Sequence, residues 1–168
     1  MQLLLATLLL SASCLAVVTS ETGSTTGGRP ISPQNVLLII SDDLRAEVDA
    51  AGFACAYCKT PSLRRLSEGA GAVSFNRAYV QEALCAPTRN SFLTGRRPDS
   101  TLAYNFIDHF REPGVGANWT TLPGYFRGVN YTVVGTGKVF HKNLPPNWDL
   151  DLSWDHKMKD GTWEGWMY

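Results

Sequence analysis

The chain is poor in cysteine and histidine and carries no excess of charge. Its 168 residues include 4 Cys and 3 His, and 15 basic side chains are balanced by 15 acidic ones. That balance excludes bulk polyanion binding, so nucleic acid is not an expected partner. No second Cys/His pair stands at ligand spacing, which argues against a zinc site. Internal repeats are missing, and so are long apolar runs, apart from one at the start.

That run, MQLLLATLLLSASCLAVVTS, is uncharged and ends in small residues. It reads as a signal peptide over residues 1–20, cleaved after Ser20. An uncleaved membrane anchor competes with this reading, but Ser11, Ser13 and Cys14 dilute the run and no basic stop-transfer flank follows it. No membrane attachment is expected after cleavage. Residues 21–34, ETGSTTGGRPISPQ, are polar and read as a flexible lead, leaving residues 35–168 as one modest domain.

Loss of Cys14 with the leader leaves Cys55, Cys58 and Cys85, an odd number for an oxidising compartment. ACAYC can close on itself, hold two thiols, or lose one thiol to a distant partner. If it closes on itself, Cys85 is the thiol that needs a reason. The sequons Asn118-Trp-Thr and Asn130-Tyr-Thr are consistent with a glycoprotein of the secretory pathway.

Along the chain, NVLLIIS has the branched apolar run of a strand buried on both faces of a parallel sheet. TPSLRRLSEGA predicts a short helix capped by Thr60 or Ser62, with Leu63 and Leu66 as its apolar face. AVSFNRAYV alternates like a second strand. APTRNSFLTG predicts a helix with Pro87 in its first turn and a stop at Gly95. TTLPGYFRG predicts another helix, and YTVVGTG another strand. Strands alternating with helices imply an α/β layered domain, in which ligands gather at the carboxyl ends of strands.

Asp42, Asp43, Lys138 and His141 all fall just past such ends, and Cys85 falls just before a helix start. Two adjacent carboxylates at a strand end can aim at one hard cation; alternatively Asp43 caps a helix beginning LRAEV and Asp42 is simply solvated. Cys85, four residues ahead of Arg89, sits in positive potential from backbone amides and guanidinium, unless it is a buried structural cysteine. Lys138 and His141 share a face if a turn follows the strand; a lysine neutralises a tetrahedral anion and a histidine moves protons near neutral pH. Arg96 and Arg97 follow a helix end, where cations complement the dipole, and read as structural.

The stretch ALCAPTRNSFLTG, Ala83 to Gly95, resembles the sulfatase signature built on Cys-x-Pro-x-Arg, with NVLLIISDD before it and GKVFH after it in the expected order. The resemblance covers roughly Asn35 to His141 and fades in the tryptophan-containing tail. It implies a sulfatase/alkaline-phosphatase-like layered α/β domain with a mainly parallel central sheet, incomplete at the carboxyl-terminal side. In the second signature, Asn130 and Val133 stand where many members have glycine and a hydroxyl residue. Nothing after GKVFH resembles the family's later Asp-Asn or Asp-His ligand pair.

By the same resemblance, Cys85 is converted to formylglycine by a formylglycine-generating enzyme, and Asp42, Asp43 and the modified Cys85 hold one Ca2+ ion. Arg89 holds the modified side chain, Lys138 contacts it and the sulfate, and His141 deprotonates the second hydroxyl. The runs LIISDDLR and FLTGRRPDSTLAYNF are similar to the branch acting on 2-O-sulfated iduronate, implying a sulfated glycosaminoglycan substrate of the heparan or dermatan type and a lysosomal or secreted location. Two other readings stand beside this one. A truncated, non-catalytic secreted product would keep the motifs but lack half of the metal site, unless a carboxyl-terminal chain completed it. A phosphatase or phosphodiesterase of the wider superfamily would use Ser or Thr and zinc. Trp148, Trp154, Trp163 and Trp166, in a stretch of little periodicity, imply a partner surface.

Overall fold

The computed structural model describes residues 34–50, 52–53 and 55–155, together with the strand backbones of Ser13–Ser20, Ser24–Thr26 and Arg29–Ile31. In chain order the elements are β1 (Ser13–Ser20), β2 (Ser24–Thr26), β3 (Arg29–Ile31), β4 (Val36–Ser41), α1 (Pro61–Ser67), α2 (Cys85–Thr94), α3 (Pro98–Thr101), α4 (Leu122–Gly128), β5 (Tyr131–Thr136) and α5 (Leu150–Ser153). Two compact units arise. One runs up to Asp42 and resumes at Gln81; the other is Asp43–Val80.

The first unit is built on a three-stranded sheet in the order β4-β1-β5. Both ladders are antiparallel, with Ser13 opposite Ser41 and Leu15 opposite Thr136. The mainly parallel sheet expected from the sequence is therefore corrected. β4 and β5 do point the same way, but β1 lies between them, and a strand reversed against each neighbour can only make antiparallel ladders. The class remains α/β. β2 and β3 pair as a small antiparallel hairpin inside the segment expected as a flexible lead.

Only one face of β4 is covered. Val36, Leu38 and Ile40 pack against a core of Leu93, Phe110, Val133, Val139, Phe140 and Trp154. Leu37 and Ile39, on the other face, are 57% and 59% exposed. Burial on both faces was expected; among the described residues no second helical layer covers them, so the sheet has one wet side.

α2 follows its sequence signals closely. It begins at Cys85, carries Pro87 in its first turn and ends where Gly95 takes the left-handed φ of 68°. A residue with a Cβ is strained there, which is why glycine stops the helix. α4 is capped by Thr121, whose hydroxyl accepts from Gly124 N at 3.1 Å, and β5 starts after Asn130 at φ 65°. Asparagine there supplies the left-handed turn that glycine often supplies. Trp148 and Trp154 are packed within the chain: Trp154 is buried against Phe140, its Nε1 donates to Trp148 O at 3.0 Å, and Trp148 joins the core edge. The expected partner surface is thus corrected for these two, whose rings find apolar neighbours within this unit; Trp163 and Trp166 lie outside the described residues.

In the second unit, α1 forms as expected, but Leu63 and Leu66 stay exposed and the helix buries no residue. Thr60 does not cap it. Its hydroxyl instead accepts from Asp49 N at 2.9 Å and donates to Asp49 O at 3.2 Å. Residues 44–48 form no helix, so the alternative in which Asp43 caps one is set aside. AVSFNRAYV forms no strand, because alternation needs a neighbouring strand to bind its backbone and none is present among the described residues. Cys55 and Cys58 form a disulfide, which decides between the pairings left open by the sequence. Among the described residues no helix is long and apolar enough to cross a membrane.

Candidate active site

The site assembles where two strands end and one helix begins. Because β4 and β5 run in the same direction, Asp42, just past Ser41, and Lys138, two residues past Thr136, emerge at one sheet edge. Cys85 enters from the first turn of α2, and Arg89 lies one turn further along.

Asp42 is the hub. Its Oδ2 accepts from Lys138 Nζ at 2.6 Å, its Oδ1 accepts from Arg89 Nη2 at 2.7 Å, and Cys85 Sγ lies 3.6 Å from the same Oδ1. The Arg89 side chain is only 3% exposed. Its Nη1 donates to the carbonyls of Val139, at 3.0 Å, and Lys138, so one guanidinium ties α2 to β4 and to the turn after β5.

Charge follows from this packing. Burial raises the Asp42 pKa, but the hydrogen bonds and charges of Lys138 and Arg89 outweigh it and bring the carboxyl to about 2. Burial likewise works against the Lys138 ammonium, and its hydrogen bonds to Asp42 and Cys85 carry its pKa above the ordinary lysine value. His141 moves the other way. Partial burial, then the charges of Lys138 and Arg89, lower its pKa, opposed by a backbone hydrogen bond at Lys142 and by Asp42. A neutral imidazole near pH 7 is the result. Its Nδ1 is buried with no hydrogen-bond partner among the described residues.

Asp42, Cys85, Arg89 and Lys138 are therefore brought together, and His141 stands within reach of their charges. Asp43 follows Asp42 directly, exposed and at φ 52°. Arg96 is structural, as read from the sequence: its guanidinium lies 4.0 Å from the centre of the Trp119 ring and donates to Thr94 O at 3.0 Å. Sequence reasoning missed the buried pair of Arg111 and Asp149, joined by two bonds of 2.7 and 2.8 Å, with Thr121 and Ser153 sharing their hydroxyls beside it. No local pattern signals a pair 38 residues apart.

Donor chemistry tests whether a metal suits these residues. Asp42 and Cys85 offer ligand atoms within 4.8 Å of each other. Carboxylate oxygens suit a hard divalent ion, whereas the Cys85 thiol is soft and fits such an ion only once oxygen replaces its sulfur.

An α/β unit with a carboxylate, a cysteine, an arginine and a lysine converging at its strand ends belongs to a defined class: the chain is a member of the sulfatase family, whose family model, described as Sulfatase, matches residues 34–154. Among individual proteins it is similar to iduronate 2-sulfatase of Homo sapiens, 38% identical over 150 residues, and of Mus musculus, 37% identical over 149 residues. Each alignment covers 88% of this chain and 25% of the relative. It is also 42% identical to arylsulfatase A of Bos taurus over 67 residues, 40% of this chain and 13% of that protein. The chain thus spans about a quarter of the length of the iduronate 2-sulfatases it matches.

Proposed function

We propose that this chain is the amino-terminal catalytic portion of a sulfuric ester hydrolase that uses a formylglycine made from Cys85 and one calcium ion. The observation that carries the reading is the Asp42 carboxylate held between Arg89 and Lys138 with the Cys85 sulfur 3.6 Å away. Asp42, Asp43 and the converted Cys85 would hold the cation. When bound, calcium would offset sulfate charge, and the hydrated aldehyde would supply the hydroxyl oxygen that bonds to sulfur as the ester S–O bond breaks and the alcohol leaves.

The chain's own residues do the rest. Arg89 fixes the Asp42 carboxylate and, through two carbonyls, the turn that carries Lys138. Lys138 presents a fixed positive charge to the sulfate oxygens. His141, neutral near pH 7, accepts the proton whose removal releases sulfate and restores the aldehyde. Pro87 and Arg89 are buried in α2, so the enzyme that reads Cys-x-Pro-x-Arg must meet the motif before the chain folds.

The iduronate 2-sulfatase relatives support 2-O-sulfated iduronate of heparan or dermatan sulfate as substrate. An apolar leader and exposed sequons at Asn118 and Asn130 support a glycoprotein of the secretory pathway, lysosomal or secreted. A second reading, a non-catalytic product lacking half of the metal site, draws on the same fact that the chain spans a quarter of these relatives. Expression in a secretory host and mass analysis of the peptide containing Cys85 tests the conversion: an aldehyde-bearing side chain is expected, and an intact thiol throughout sinks the catalytic reading. Sulfate release by this chain, with a carboxyl-terminal chain added and without it, separates an active portion from an inert product.

A further inference from the structure

Beside the site stands an aromatic ring that the proposed chemistry does not use. Phe106 packs on the imidazole of His141 with ring centres 4.9 Å apart and planes tilted by 33°. One side of Phe106 is thereby covered, yet the residue remains 51% exposed. Its loop is held by its own bonds. Tyr104 Oη donates to Asp99 Oδ1 at 2.7 Å, and Asn105 Oδ1 accepts from the backbone N–H of Ile107 and Asp108 at 2.8 and 3.0 Å. Leu102, Tyr104 and Ile107 on the same loop are also exposed.

Residues 98–110 contain no lysine or arginine, and their acidic groups are Asp99 and Asp108. Such a loop brings no lysine or arginine to a sulfate, and the side chains it exposes, Leu102, Tyr104, Phe106 and Ile107, form an apolar surface for whatever the sulfate is attached to. A six-membered ring, saturated or aromatic, has a face of C–H or π character that stacks on a phenyl ring. We infer that Phe106 is a substrate-contacting residue whose exposed surface carries the ring of the group esterified to sulfate, beside the His141 imidazole. This rests on the sulfatase reading of the same site and adds to it the residue that holds the substrate's ring: loss of Phe106 costs ring-bearing sulfate esters and spares acyclic ones.

The test uses the full secreted, calcium-loaded chain and reads affinity by isothermal titration calorimetry for four probes: inorganic sulfate, ethyl sulfate, 4-nitrophenyl sulfate and a methyl pyranoside 2-sulfate. Phe106→Ala is expected to weaken the two ring-bearing esters by roughly three- to tenfold and to leave inorganic sulfate and ethyl sulfate unchanged. Phe106→Tyr, which keeps the ring, retains wild-type affinities and guards against a folding artefact. Loss for the aryl ester alone or the pyranoside alone tells which ring the platform takes. Equal weakening of all four probes, or of none, overturns the inference, the former making Phe106 only a support for His141. Failure of the wild-type chain to bind inorganic sulfate sinks the sulfatase reading and the platform with it, whereas binding without ring preference sinks the platform alone.

Discussion

Asp42 organises the charges at the residue scale, because one carboxylate accepts from two cations that reach it from different parts of the chain. Removing Arg89 leaves that carboxylate half compensated and two carbonyls without their donor. Breaking a buried pair of this kind costs about 3–5 kcal/mol, so Arg89→Leu is expected to lower the urea midpoint sharply, and Arg89→Lys, which cannot reach both partners, should recover little of it. Acid has a defined effect as well. Asp42 titrates near 2 in the folded chain against an ordinary 3.8, so its contribution is fully present above about pH 4 and is lost as pH falls through about 2. In the metal-free chain that contribution is about 2 kcal/mol. Denaturant titrations at pH 6 and pH 2 should show the fall in wild type and a smaller one in Asp42→Asn.

Elements obey a different arithmetic, set by how closely they approach. Gly135 in β5 faces the buried Trp154, and a Cβ placed there would come within 2.6 Å of that indole. Gly135→Ala must therefore shift the indole or the strand, at about 1–3 kcal/mol, with a matching change in tryptophan fluorescence. A Gly95→Ala substitution meets no neighbour but is strained by its φ of 68°, and about 1 kcal/mol is expected without a fluorescence change. Equal fluorescence changes in both variants would contradict this division. Elements are also where the sequence was most legible. β4, α1, α2, α4 and β5 were read from local cues, among them branched apolar runs, Pro87 in the first turn of α2 and the terminal Gly95, whereas the cap expected at Thr60 is not made. AVSFNRAYV misled because alternation reports a strand's preference and not the presence of a neighbour.

For the molecule as a whole, β1 decides the sheet, since among the described residues it is the only strand bonded to β4 and the only one bonded to β5. Cleavage after Ser20, expected from the sequence, would remove all of it. A chain beginning at Glu21 is expected to lose amide protection in Val36–Ser41 and Tyr131–Thr136 by hydrogen exchange, and a peptide of sequence SCLAVVTS added in trans should restore it. Unchanged protection in the shortened chain would show that β4 and β5 hold without β1. Ser13–Ser20 was read as the end of a leader and no strand was expected there, because an apolar stretch with small residues does not show which edges it will pair with. Strand neighbours are settled only when two other strands present matching edges.

By itself the sequence determined the place of α2, to within one residue at its start, its left-handed stop at Gly95, and the set of side chains available for chemistry, because each depends on torsions and caps within a few residues. Only the tertiary structure decided that Asp42 meets Arg89 and Lys138, 47 and 96 residues away, that Cys55 and Cys58 pair, and that one face of β4 stays wet. Contacts across such separations are set by which strands become neighbours and in which direction they run, and no local pattern encodes that choice.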